Sequence, residues 1–255
     1  MTKLRNKVWI WGHPPHSLVN EFDLDGSMTP VEGMDYLGAK NVFYVPMHNV
    51  VDRDACSKEC ESCLNLGWSI ENADQVDDAI SLAKKYSNIT TIVFDDFFNE
   101  GTKGSYEHYT VEKLNYLKEK LHQAKPNPLE MWLVYYTMNT NEMVLKDFLP
   151  VFDGIILWFW HEADNNEFEL KLKNFLERHK HQKRMVGCYL YDFGNKKQSN
   201  PEIVLYQLNR AKELLVNGLI DGLVLHTNGV ADMGFEAVEV AKKWMEENGE
   251  VIIND

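Results

Sequence analysis

TTIVFDDF, residues 90–97, decides the reading of this chain. Thr, Ile, Val and Phe in one unbroken run have the β-branched and aromatic character of a strand covered on both faces, as in a parallel sheet flanked by helices. Asp95 and Asp96 end that run. A buried carboxylate without a partner costs several kcal/mol on an order-of-magnitude view, so the pair belongs where it is paired, solvated or used.

Working outward from 90–97, short apolar runs alternate with longer stretches of helical period, the pattern of βα units. Strands are expected at 7–12, 41–47, 66–70, 90–97, 130–137, 154–160, 184–193 and 221–227. Helices fall between them at 29–38, 53–64, 72–87, 110–124, 141–152, 165–180, 200–218 and 235–248. Thr29-Pro30 and Asn200-Pro201 are capped helix starts, and Val76, Ala79, Ile80 and Ala83 share one helical face. Eight units over 255 residues, with no linker and no internal repeat, predict one (β/α)8 TIM barrel spanning 1–255. The tail GEVIIND is left over, to pack across the barrel bottom or to fray.

The charge balance is 26 Lys and Arg against 39 Asp and Glu, a formal net charge of −13, and no basic cluster forms a track for phosphates. Nucleic acid and anionic membrane are therefore excluded as expected partners. MTKLRNKVWIWGHPP has too short an apolar stretch for a leader or a membrane span, so a cytoplasmic chain is the simple expectation. Four cysteines at this length do not suggest a disulfide framework.

Barrels of this kind build their sites from strand C-terminal ends. Those ends carry Trp11 and His13, His48, Asp95 and Asp96, Tyr136, then Trp158, Trp160 and Glu162, then Tyr191 and Asp192, then His226 and Asn228. The opposite ends carry Lys7, Asn41, Glu130, Arg184 and Asp221, which read as solvated strand starts. Carboxylates and aromatics converging on one rim suit glycosidic-bond chemistry. One acid protonates the leaving oxygen, a second carboxylate acts as nucleophile or base, and flat rings meet sugar C–H surfaces. Alternation along a strand predicts that only one of Asp95 and Asp96 enters the mouth. Glu162 is the expected proton donor, with Asp192 as the other partner. Trp11, Trp158, Trp160, Tyr136 and Tyr191 would shape sugar subsites, and His13, His48, His226 and Asn228 would meet hydroxyls. Neither metal nor organic cofactor is expected.

KVWIWGHP, VFDDFF, LWFWHE and LYDFG together resemble TIM-barrel proteins grouped with glycoside hydrolases. The resemblance implies an acidic residue at the end of strand four and a second on strand six or seven, which fall here on Asp95 or Asp96, Glu162 and Asp192. The chain departs from the commonest retaining pattern, which has Asn-Glu on strand four and Glu on strand seven.

Other readings compete. Cys56, Cys60 and Cys63 have the C-x3-C-x2-C spacing of radical-SAM iron-sulfur enzymes, but they follow the second strand and also form one stripe of a predicted helix. His13 and His16 lack the H-x-H of metal-dependent barrel hydrolases. DFGNKKQ and TNGVADMG supply only fragments of the glycine-rich phosphate cradles of a sugar-phosphate isomerase. A barrel that binds carbohydrate without cleaving it is the remaining alternative.

Overall fold

The computed structural model describes residues 1–46, 51–102, 104–139 and 141–253. Eight parallel strands close into a barrel: β1 (Val8–Gly12), β2 (Asn41–Tyr44), β3 (Asn65–Ile70), β4 (Ile89–Phe94), β5 (Glu130–Tyr136), β6 (Gly154–Trp158), β7 (Lys183–Tyr189) and β8 (Gly222–His226). Neighbours in sequence are neighbours in the ring, and β8 closes onto β1 with His226 opposite Trp11. Among the described residues, one helix follows each strand on the outside, besides a short turn of helix at Val19–Phe22: α1 (Pro30–Tyr36), α2 (Arg53–Glu59), α3 (Gln75–Lys85), α4 (Val111–His122), α5 (Glu142–Phe148), α6 (Phe168–Arg178), α7 (Pro201–Val216) and α8 (Glu236–Asn248). The expected single (β/α)8 architecture is what the chain adopts.

Local chemistry explains the helix starts. Thr29 and Glu32 form a reciprocal capping box on α1, with Pro30 in the first turn. Thr110 caps α4 and Asn200 caps α7. On α3, Val76, Ala79 and Ala83 are buried against the sheet while Ile80 is only partly covered. Two expected helices end early: 53–64 and 141–152 each finish in a 3-10 turn, over Cys60–Ser62 and Leu149–Val151.

The barrel interior is unusually aromatic. Trp11 on β1 meets Trp158 on β6 at 5.6 Å, and because those strands are not neighbours the contact must cross the lumen. Strand alternation then places Trp9, Phe43, Val93, Tyr136, Tyr189 and His226 on the same inner face. Gly187 makes room for this filling, since a Cβ there would lie 2.1 Å from the Trp158 ring. Phe94 points the other way, into the layer beneath the helices with Phe97, Tyr109 and Phe152.

At the barrel bottom the tail pairs with the N-terminus, Thr2–Lys3 running antiparallel to Ile252–Ile253. Asn41, expected as a solvated strand start, is fully buried there. Its amide donates to the carbonyls of Asn6 and Val8, and its oxygen accepts from Asn65. At the top, the seventh strand is shorter than the expected 184–193. It stops at Tyr189, and Tyr191–Asp192 turn back in a small hairpin with Lys197–Gln198. Among the described residues no helix is long and apolar enough to cross a membrane.

Candidate active site

The acid pair sits just beyond β4, pinned by the aromatics around it. Phe94 and Phe97 are both fully buried in the outer layer, 5.8 Å apart, so the two acids between them have little freedom to retreat. Asp95 continues the inward alternation of Thr91 and Val93. Asp96 departs from it, with φ of 51°, a left-handed conformation that Asp tolerates better than most residues. That twist returns the second carboxylate to the mouth: Asp96 Oδ1 accepts from the Tyr136 hydroxyl at 3.0 Å and from Asn99 Nδ2 at 2.8 Å. The expected one-in, one-out arrangement fails because the strand has already ended at Phe94.

Asp95 keeps some contact with solvent but is densely surrounded by protein. Burial, the charge of Asp96 and the charge of Glu71 push its carboxyl well above the usual range, opposed by the Asp96 N–H donating to Oδ1 at 2.9 Å. Of the two acids, Asp95 is the one whose surroundings favour the proton. Burial first, and then the neighbouring acids, raise the hydroxyls of Tyr136 and Tyr189 well above the ordinary tyrosine range. Trp160 stands edge-on to both rings, 5.6 Å from Tyr136 and 5.8 Å from Tyr189. Tyr189 stood among the aromatics at the end of the seventh strand in the sequence but was given no role in the site, and Asn99 was not singled out. Tyr189 is the last residue of its strand with inward parity, and Asn99 stands three residues after an aspartate, so both carried a readable signal.

Glu162 and Asp192 form a second acidic group around Lys197. Glu162 accepts from Lys197 Nζ at 3.0 Å and from the Asn200 N–H at 2.7 Å, and these donors outweigh partial burial to lower its pKa. That is the reverse of what a proton donor needs. The Asp192 side chain, 1% exposed, accepts from Asn195 N at 3.1 Å and Asn195 Nδ2 at 2.7 Å, with Lys197 at 3.9 Å. Both acids line a small crevice with Trp160 and Tyr189, beside the first pair rather than facing it as bare carboxylates.

The remaining sequence-predicted residues divide by burial. Trp11 and Trp158 fill the barrel and present almost no surface. His226 lies on top of them, 4.9 Å from the Tyr189 ring and 5.2 Å from His13. Burial lowers both imidazoles, His13 to about 4 and His226 further, the latter also by the neighbouring His13 charge. His13 Nδ1 bonds the Val45 carbonyl at 3.2 Å, and among the described residues neither His13 Nε2 nor His226 Nδ1 has a hydrogen-bond partner. Asn228 is structural. Its amide nitrogen donates to His13 O and Met28 O while its oxygen accepts from His13 N, tying the loop after β8 to the loop after β1. Tyr191 stacks on Phe235 at the edge of a groove of about 680 Å3 that also includes Phe22, Lys196 and Met233. His48 lies outside the described residues.

The three cysteines stay outside the barrel. Cys56 donates to the Tyr44 hydroxyl at 3.1 Å, and the free thiols of Cys60 and Cys63 share a hydrogen bond. Burial raises the thiol of Cys56, and the Cys63 contact together with burial raises that of Cys60, opposing the thiolates that a cluster requires. Among the described residues no group of three or more His, Cys, Asp or Glu is placed to hold a metal ion, so the iron-sulfur reading has no support in the geometry.

No family model matches the chain, and no curated protein matches it in sequence. Solved structures do match in fold. A GH113 beta-1,4-mannanase aligns over 96% of this chain and 99% of its own at 11% identity and a TM-score of 0.56. A chitinase from Rhizomucor miehei aligns over 94% and 100% at 8% identity, TM-score 0.58. A xylanase-alpha-amylase inhibitor protein in complex with trehalose aligns over 95% and 99% at 11% identity, TM-score 0.58. At such identities the likeness is one of architecture, and it places the chain among (β/α)8 barrels.

Proposed function

We propose that this protein is a glycoside hydrolase whose working acid is Asp95. The observation that carries the reading is the adjacent pair at the end of β4, in which one carboxyl is driven to hold its proton while the other accepts from Tyr136 and Asn99. Two acids with environments that separate their titration are the arrangement that general acid chemistry at neutral pH requires. In this reading Asp95 gives its proton to the glycosidic oxygen as the bond to the anomeric carbon breaks. The Asp96 charge stabilises the positive charge that builds on the sugar ring. Water then adds to the anomeric carbon and its proton returns to Asp95. Trp160 and the two tyrosine hydroxyls border the sugar. A mannanase and a chitinase among the structural neighbours support this chemistry on this fold by analogy.

The test is hydrolysis of a panel of mannan, xylan and chitin oligosaccharides by wild type and by Asp95→Asn. Turnover of at least one substrate, abolished in the variant, is the expected result; no turnover of any glycan contradicts it. The inhibitor-protein neighbour with bound trehalose favours a second reading, a barrel that holds carbohydrate without cleaving it. Saturable glycan binding by wild type with no product formed would establish that alternative.

A further inference from the structure

A third acid stands beside Asp95. Glu71 is the first residue beyond β3, as Asp95 is the first beyond β4. The two strands run parallel with Ser69 opposite Val93 and Ile70 opposite Phe94, and one further step in that register sets Glu71 opposite Asp95. Neighbouring strands lie about 4.8 Å apart, so the two acids spring from adjacent main-chain positions. The loop after β4 marks the same approach: a Cβ on Gly104 would lie 3.3 Å from the Asp95 carbonyl oxygen and 3.5 Å from that of Glu71.

Side-chain parity along β3 agrees. Gly67 faces the lumen, since a Cβ there would meet the Phe43 ring and Thr91 Oγ1. Trp68 faces outward, where its indole N–H donates to Ser57 on α2 at 3.2 Å and Arg53 lies over its ring at 4.9 Å. Ser69 then points inward, Ile70 outward, and Glu71 falls on the lumen side with Asp95. Its charge is felt there, adding to burial and to Asp96 in raising the Asp95 carboxyl. The other acids of the mouth are committed: Asp96 to Tyr136 and Asn99, Glu162 to Lys197 and Asn200, Asp192 to Asn195. Glu71 is partly exposed and its own N–H donates to Gln75 Oε1 at 2.7 Å, but no hydrogen bond or ion pair reaches its carboxylate among the described residues. A carboxylate on the strand next to a protonated acid matches retaining glycosidases, whose two carboxyl groups stand about 5–5.5 Å apart, better than inverting ones, which need about 6.5–9.5 Å.

We propose that Glu71 is the nucleophile of this site and that the anomeric configuration is retained, an inference that rests on Asp95 being the acid. A Glu71 carboxylate oxygen bonds to the anomeric carbon as the bond to the leaving oxygen breaks, and the Asp95 proton goes to that oxygen. Water then attacks the same carbon, its proton passes to Asp95, and the ester bond to Glu71 breaks. One glycoside and one water give two hydroxyl compounds, and two inversions amount to retention.

The probes are 2,4-dinitrophenyl glycosides of glucose, mannose, xylose and N-acetylglucosamine in both anomers, whose leaving group departs without a proton. With the full wild-type chain, the sugar released first should keep the substrate's anomeric configuration in proton NMR. Glu71→Gly should lose about 10³-fold or more in turnover and recover in azide, with a glycosyl azide of inverted configuration as product. Asp95→Asn should still show a burst of dinitrophenolate, because the first step on these probes needs no acid. Glu71→Gln, close in size and shape, carries the test if Glu71→Gly fails to fold. A first product of inverted configuration, or turnover by folded Glu71→Gln within about tenfold of wild type, would overturn the assignment and leave Asp95 as the acid. No turnover of any glycoside or glycan would overturn both.

Discussion

Two acidic pairs stand at the mouth of this barrel, and their surroundings differ. Asp95 and Asp96 have each other, a tyrosine hydroxyl and an asparagine amide. Glu162 and Asp192 share Lys197 and several N–H donors. Both pairs are carboxylates on segments that follow barrel strands, β4 for the first and β6 and β7 for the second. The difference lies in where positive charge was put: a lysine makes a stable anion, whereas a second carboxylate makes a proton reservoir.

The largest effect expected from this contrast is on turnover. Asp95→Asn should lower kcat on any identified glycan by about 10²–10⁴-fold, the usual contribution of a positioned general acid. Glu162→Gln should change it by less than about tenfold, because Glu162 is already committed to Lys197 and Asn200. Comparable losses in both variants would erase the distinction between the pairs. Tyr136→Phe removes one donor from Asp96 and should cost about tenfold in kcat/KM, in line with one hydrogen bond to a charged group.

Stability should divide the pairs in the opposite sense. Lys197→Met leaves the buried Asp192 carboxylate and Glu162 without their shared cation, and urea unfolding at pH 7 should show a lower midpoint than wild type. Asp95→Asn should instead raise the melting temperature at neutral pH. The sign follows from linkage: a carboxyl whose folded pKa is raised binds its proton more tightly when folded, so stability is lost as pH climbs from the ordinary carboxylate range toward the raised value. Removing the group recovers that loss, and the gain should shrink toward pH 4. A gain that stays constant with pH would contradict the account.

The smallest effect concerns the histidines beneath the mouth. Neutral His13 contributes stability that is present above its unfolded value near 6.5 and is lost as pH falls toward about 4, and His226 acts in the same direction. Wild type should therefore lose stability over that interval. His226→Phe should show a shallower slope, by up to one proton, in unfolding measured across pH 4–6.5.

The fold was legible because each strand is a short apolar run and five of the eight helices named above carry a side-chain cap, information that is local in sequence. VFDDFF stood out for the same reason: two acids between buried aromatics are anomalous at any register. What the sequence did not disclose is partner geometry. Lys197 lies 35 residues from Glu162 and looks like any loop lysine until the hairpin after β7 brings them together. Trp11 and Trp158 read equally well as sugar platforms or as filling, and only their contact across the lumen decides for filling. Asn228 stood at a strand end like a ligand contact, yet its amide ties two loops. The left-handed turn at Asp96 defeated simple alternation.

The central claim is that burial, joined by the charge of Asp96 beside it, holds the Asp95 carboxyl well above the usual carboxylate range. Carbon-detected NMR of the aspartate side-chain carboxyls measures this directly, with Asp95→Asn identifying the signal. The account predicts an Asp95 carboxyl that titrates well above the ordinary range and falls toward it in Asp96→Asn. An Asp95 that is ionised at the usual carboxylate pH in wild type, or is unmoved by removing the Asp96 charge, would contradict it.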